Sequence, residues 1–166
     1  MRKSGKIRVS LNEGQPMKCP IIFLDFDGVL HDIEEGEKAL FSETAREPRL
    51  FIWAETLTSL LAPFPRVAVV IQSAWRNVFS LSDLTSRLPL ELSKRVIGMT
   101  EPGLPRWDSI QLYLNDRDTS CACVILDDSP DEFPSNHPML IACHPSRGLS
   151  DESTQTLLAS WLSRHG

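Results

Sequence analysis

At 166 residues, with 42% hydrophobic and 23% charged, the chain is long enough for one well-filled core and too short for two comfortable domains, so a single domain is expected. The net charge of −5 understates the acidity of the body, because Arg2, Lys3, Lys6 and Arg8 sit together at the start; this argues against tight, sequence-blind nucleic-acid binding through a broad basic face, and no DNA-binding module is evident. No apolar stretch approaches the roughly 20 residues that cross a bilayer, so no membrane role is expected.

Residues 1–18 are basic and then polar, without the apolar centre of a signal peptide, and are expected to be a flexible tail on a cytoplasmic protein. Residues 19–166 are expected to form a single domain. Ile21–Leu24 is a continuous apolar run, as a strand buried on both faces of a parallel sheet requires. It stops abruptly at Asp25, with Asp27 two places on and Gly28 loosening the backbone. Residues two apart on extended chain point the same way, so Asp25 and Asp27 can share one divalent cation. Acids at the carboxyl end of such a strand also lie where open α/β sheets place their ligands.

Residues 31–47 are polar and acidic and suggest an excursion over the site, with a helix entry near Ser42 or Thr44. Over residues 50–61, Leu50, Trp53, Leu57, Leu60 and Leu61 recur at helical spacing, and Pro63 and Pro65 end that helix. Residues 67–71 form a second apolar run and lead into Gln72-Ser73-Ala74-Trp75-Arg76. A hydroxyl or amide just past a buried strand can bond a phosphate oxygen, so Gln72 and Ser73 are alternative candidates there, with Arg76 as a further substrate contact.

Leu81, Leu84, Leu88 and Leu92 indicate a helix starting near Ser82 or Asp83 that Pro89 must end or kink. Residues 95–99 read as a short strand suited to a sheet edge. After a Pro- and Gly-bearing loop, residues 106–114 form a helix with Trp107, Ile110, Gln111 and Leu114 along one side. Residues 115–118 are a turn. The fourth apolar strand, residues 121–126, ends in Asp127-Asp128-Ser129-Pro130, and adjacent acids after a buried strand are costly unless an ion or a donor holds them.

Residues 139–143 give a fifth strand, and Ser150 or Asp151 caps a last helix over residues 152–164. The four cysteines, Cys19, Cys121, Cys123 and Cys143, lack zinc-site spacing and read as reduced thiols packed in strands. His31, His137, His144 and His165 form no recognisable constellation and are read as loop or surface residues, His31 and His144 near the mouth. Five strands alternating with helices, with polar groups ending strands one, two and four, describe a doubly wound, Rossmann-like α/β domain with a parallel sheet.

The string Leu24-Asp25-Phe26-Asp27-Gly28-Val29-Leu30 closely resembles motif I of the haloacid dehalogenase (HAD) superfamily of phosphatases and related hydrolases. Asp127-Asp128-Ser129-Pro130 resembles motif IV in its Asp-Asp form and is similar to capless phosphatases that act on phosphorylated protein tails. The Ser-x-Trp-Arg segment at Ser73–Arg76 is similar to small capless HAD domains, including those attached to RNA-repair proteins. The resemblance implies a nucleophile at Asp25, a general acid/base at Asp27, a motif II hydroxyl at Ser73 and a motif III cation at Arg106, with Arg95 and Arg76 as rivals. It further implies Mg2+ held by Asp25, Asp27, Asp127 and Asp128, and a short flap after motif I. Fewer than forty residues separate the first two strands, which leaves no room for a large cap domain.

The activity implied is magnesium-dependent hydrolysis of a phosphate monoester through an aspartyl-phosphate. The substrate would be a phosphorylated small molecule or an exposed phosphate on a macromolecular end. The alternative is a HAD-like binding or regulatory module with weak or no turnover. The oligomeric state is left open.

Overall fold

The computed structural model describes residues 19–42, 47–116 and 120–166. Five strands, β1 (Ile21–Leu24), β2 (Ala68–Ile71), β3 (Val96–Met99), β4 (Cys123–Asp127) and β5 (Leu140–Ala142), form one sheet in the order β3-β2-β1-β4-β5, with every pairing parallel. The acid-tipped first strand is central, and Leu24 is level with Ile71 of β2 and Leu126 of β4. The polar residues that follow these three strands therefore emerge at one rim.

Strand alternation divides the core in two. Ile22, Leu24, Val69, Ile71, Val124 and Leu126 pack on one face with side chains of α2 (Ala54–Leu61), α3 (Leu81–Ser86), α4 (Leu90–Ser93) and α6 (Glu152–His165). Ile21, Phe23, Val70 and Ile125 point to the other face, where α5 (Arg106–Asp116) supplies Ile110 and Tyr113. The sheet is thus covered on both sides, as the apolar runs of its central strands require. This is the expected doubly wound, Rossmann-like architecture without a cap.

Local chemistry explains where the elements begin. α1 (Ile33–Phe41) starts because the Asp32 carboxylate accepts from Glu34 N, and Glu34 and Glu35 in its first turn suit the positive end of the helix dipole. The acidic excursion is therefore already helical before Ser42, which stands after the helix end. The alternative entry at Thr44 lies outside the described residues, as does the tail over residues 1–18. Among the described residues the segment after β1 has no hairpin flap.

The helix expected over residues 50–61 begins only at Ala54, because Phe51 adopts a left-handed φ of 56°. The helix expected over residues 81–92 is broken into α3 and α4 by Pro89, and α3 is capped earlier than expected by a reciprocal Ser80–Asp83 box. β3 is an edge strand, as its mixed polarity suggested, and Asp151 caps α6 through Ser153 N. Of the turn expected over residues 115–118, Asn115 and Asp116 instead complete α5, and Arg117 and Asp118 lie outside the described residues.

Candidate active site

Asp25 follows β1, its own N–H donating to the Leu126 carbonyl, and its side chain is fully buried. One carboxylate oxygen, Oδ1, accepts from Phe26 N at 2.7 Å, and Oδ2 accepts from Arg106 Nη1. Asp127, at the end of the neighbouring strand, accepts from Ser129 N through Oδ1 at 2.8 Å and from Arg106 Nη1 and Gln72 Nε2 through Oδ2. Arg106, the first residue of α5, thus lies between two buried carboxylates contributed by adjacent strands. Burial pushes Asp25 up to about 6 against the pull of the Arg106 charge; burial and then the Asp25 charge push Asp127 up to about 6.

Asp128 completes the group. Oxygens of Asp25, Asp127 and Asp128 lie within 4.8 Å of one another, the one such cluster among the described residues. Asp128 Oδ1 accepts from the Ser129 hydroxyl. Burial, and next the charge of Asp127, raise the Asp128 carboxyl. Gly28, at a φ of 67°, passes so close that a Cβ there would overlap the Asp128 carboxylate.

Asp27 stands at the same mouth but is not part of that trio. Its Oδ1 bonds His31 Nε2 at 2.9 Å and its Oδ2 accepts from Trp75 Nε1 at 2.9 Å. His31 is fully buried, a correction to its reading as a loop or surface residue. A buried imidazole needs partners for both nitrogens, and it has them in Asp27 and in Phe51 N–H, which faces Nδ1 at 3.3 Å. The position four residues after Asp27 was the only signal in the sequence for this contact. Trp75 was likewise not singled out for a site role, although it lies only four residues past the end of the second strand.

The other candidates separate by their partners. β2 ends at Ile71, so Gln72 is the first residue beyond it and reaches the carboxylates; its Oε1 is buried without a partner among the described residues. Ser73 instead accepts from Trp75 N at 3.3 Å and caps the 3-10 turn Ala74–Asn77, so it makes no bond to the carboxylate group. Arg76 is also corrected: Nε, Nη1 and Nη2 bond the carbonyls of Gln72, Ser73, Glu101 and Leu104 and the Ser109 hydroxyl, leaving no donor for a substrate. Arg95 is held by the carbonyls of Leu61, Phe64 and Val67. Among the three rival arginines, Arg106 alone reaches the acids.

Above the acids opens a cavity of about 370 Å³. Asp27, Arg106 and Asp128 line it, together with Ile33, Leu40 and Phe41 of α1 and Ala74 and Val78 from the segment after β2. A larger hollow of about 750 Å³ between α3 and β3 holds Lys94 as its only charged residue, and so lacks the groups for chemistry. The thiols of Cys19, Cys121, Cys123 and Cys143 are free, and no helix among the described residues is long and apolar enough to cross a membrane.

The family model described as the HAD domain in Swiss Army Knife RNA repair proteins matches residues 21–154. No curated protein and no solved structure matches the chain.

Proposed function

The chain belongs to the HAD domains of Swiss Army Knife RNA repair proteins, a family of the hydrolase type, and from that premise we propose that it is a magnesium-dependent phosphate monoester hydrolase with Asp25 as nucleophile. The observation that carries the reading is the gathering of Asp25, Asp127 and Asp128 within 4.8 Å beneath the mouth that Asp27 and Asp128 line.

The donor set fits Mg2+. Carboxylate oxygens are the hard ligands this ion takes, and burial that raises Asp25, Asp127 and Asp128 together is the cost a dication offsets. Asp25, Asp128 and the Asp27 backbone carbonyl are the proposed ligands. Asp128 is preferred to Asp127 because Asp127 already accepts from three protein donors, two of them on Oδ2, against two at Asp25 and the Ser129 hydroxyl at Asp128. When bound, the ion would screen the repulsion between an anionic nucleophile and an anionic substrate.

The protein groups then divide the work. Asp25 Oδ2, the oxygen not committed to Phe26 N, attacks phosphorus in line as the ester P–O bond breaks. Asp27 gives its proton to the departing alkoxide. It then takes one from the water that splits the aspartyl-phosphate, releasing phosphate and free Asp25. Arg106, with Gln72 beside it, balances charge on the transferred group. Ser73 acts indirectly, holding the turn that carries Trp75.

The absence of a cap leaves the mouth open to a phosphate on a small molecule or on a macromolecular end. The test is phosphate release from a chromogenic aryl phosphate with and without Mg2+. Activity is expected only with the metal, and Asp25→Asn is expected to abolish turnover with an unchanged circular dichroism spectrum. Full activity in Asp25→Asn overturns the nucleophile assignment. A second reading, a metal-holding binding module with little turnover, is favoured by the amide of Gln72 where the motif asks for a hydroxyl; a folded, metal-binding and inert protein in the same assay would establish it. A panel of phosphorylated nucleotides, sugars, peptides and nucleic-acid ends would then narrow the substrate.

A further inference from the structure

Asp27 is held by both of its oxygens from a fully buried shell, and we infer that His31 and Trp75 are positioning residues that fix the plane of the Asp27 carboxyl toward the leaving group. The inference rests on the hydrolase reading above.

The geometry is over-determined. The backbone N–H of Phe51 can only donate, so His31 Nδ1 is the acceptor of that bond and the ring proton resides on Nε2. Nε2 therefore donates to Asp27 Oδ1, while the indole N–H of Trp75 donates to Oδ2. One donor on each oxygen, from two rigid rings, sets the rotation of the carboxyl group and leaves a lone pair on each oxygen for the proton in transit.

The rings are themselves fixed. His31 lies edge-on to Phe51 at 5.1 Å and beside Trp75 at 5.8 Å, and Phe26 packs edge-on to both Phe51 and Trp75. Phe51 keeps a φ of 56°, a conformation unfavourable for a bulky residue, which accompanies presentation of its N–H to His31. Gly36 of α1 lies against this pair: a Cβ there would overlap Asp27 Oδ1 and crowd His31 Nε2. Three separate segments thus converge on one carboxyl group that forms no part of the carboxylate trio.

A misaligned acid should harm esters with poor leaving groups far more than those with good ones, because only the former need a proton in the transition state. The experiment compares kcat/KM on p-nitrophenyl phosphate and on a simple alkyl phosphate, since this constant reports the step in which the ester bond breaks. Trp75→Phe, which keeps an aromatic side chain and removes the donor, is expected to lose at least about tenfold on the alkyl ester and less than about threefold on the aryl ester. His31→Ala should behave likewise, and His31→Gln, which restores an Nε2 donor, should recover much of the alkyl activity.

Melting curves identify variants that fail to fold, and Trp75→Phe with His31→Gln keeps the comparison alive where His31→Ala does not. Equal losses on the two esters, or no loss on the alkyl ester in folded Trp75→Phe, overturn the positioning role alone. A wild type inert toward both esters overturns it together with the hydrolase reading.

Discussion

Asp25 and Asp127 are buried acids that share one guanidinium, and their ionisation is linked to stability with a definite sign. Each is raised from 3.8 to about 6. The folded state therefore binds more protons than the unfolded state between those values, and the stability these groups contribute is fully present below pH 3.8 and lost as pH rises through 6. For Asp25 a rise of that size corresponds to roughly 3 kcal/mol. The capping acids Asp83 and Asp151 are shifted the other way, so the informative quantity is a difference between variants. Without metal, the melting temperature of wild type should fall relative to Asp25→Asn between pH 4 and pH 6.5, and Mg2+ should raise the wild-type value more at pH 7 than at pH 5. Scanning calorimetry checks both; parallel curves for the two proteins would reject the linkage.

Among the elements, α1 carries the sharpest contradiction between propensity and place. Replacing an interior helix glycine by alanine ordinarily stabilises by about 1 kcal/mol. Gly36→Ala should do the opposite, because its methyl would overlap Asp27 Oδ1; no gain in melting temperature and a loss of about tenfold in kcat/KM are expected, measured by thermal denaturation and steady-state kinetics. The strands were legible because Ile21–Leu24 and Ala68–Ile71 are apolar without interruption and stop at polar groups, so their rim could be inferred before any packing was known. Pro89 announced a break. What the sequence could not convey is which of several equal side chains a tertiary neighbour claims. Arg76, Arg95 and Arg106 have the same chemistry, and only the carbonyls around the first two distinguish them. Gln72 and Ser73 were separated by the single residue at which β2 ends, and His31 with Trp75 by contacts that span 48 positions between Trp75 and Asp27.

For the molecule as a whole, α1 and the segment after β2 supply the apolar walls of the mouth among the described residues. Two of the most exposed large apolar side chains, Phe41 at 82% and Val78 at 67%, stand there. An apolar leaving group would cover them, so Phe41→Ala should raise KM for an aryl phosphate about three- to tenfold with kcat unchanged, and should leave inhibition by inorganic phosphate unaltered. The contact between Gly28 and Asp128 joins loops a hundred positions apart, and it has an evolutionary consequence. Any side chain at 28 displaces a carboxylate at 128, while shortening 128 to make room removes the carboxylate itself, so neither position can be the first to change. In a lineage that keeps the activity, that pair is expected to be frozen together, each made irreplaceable by the other.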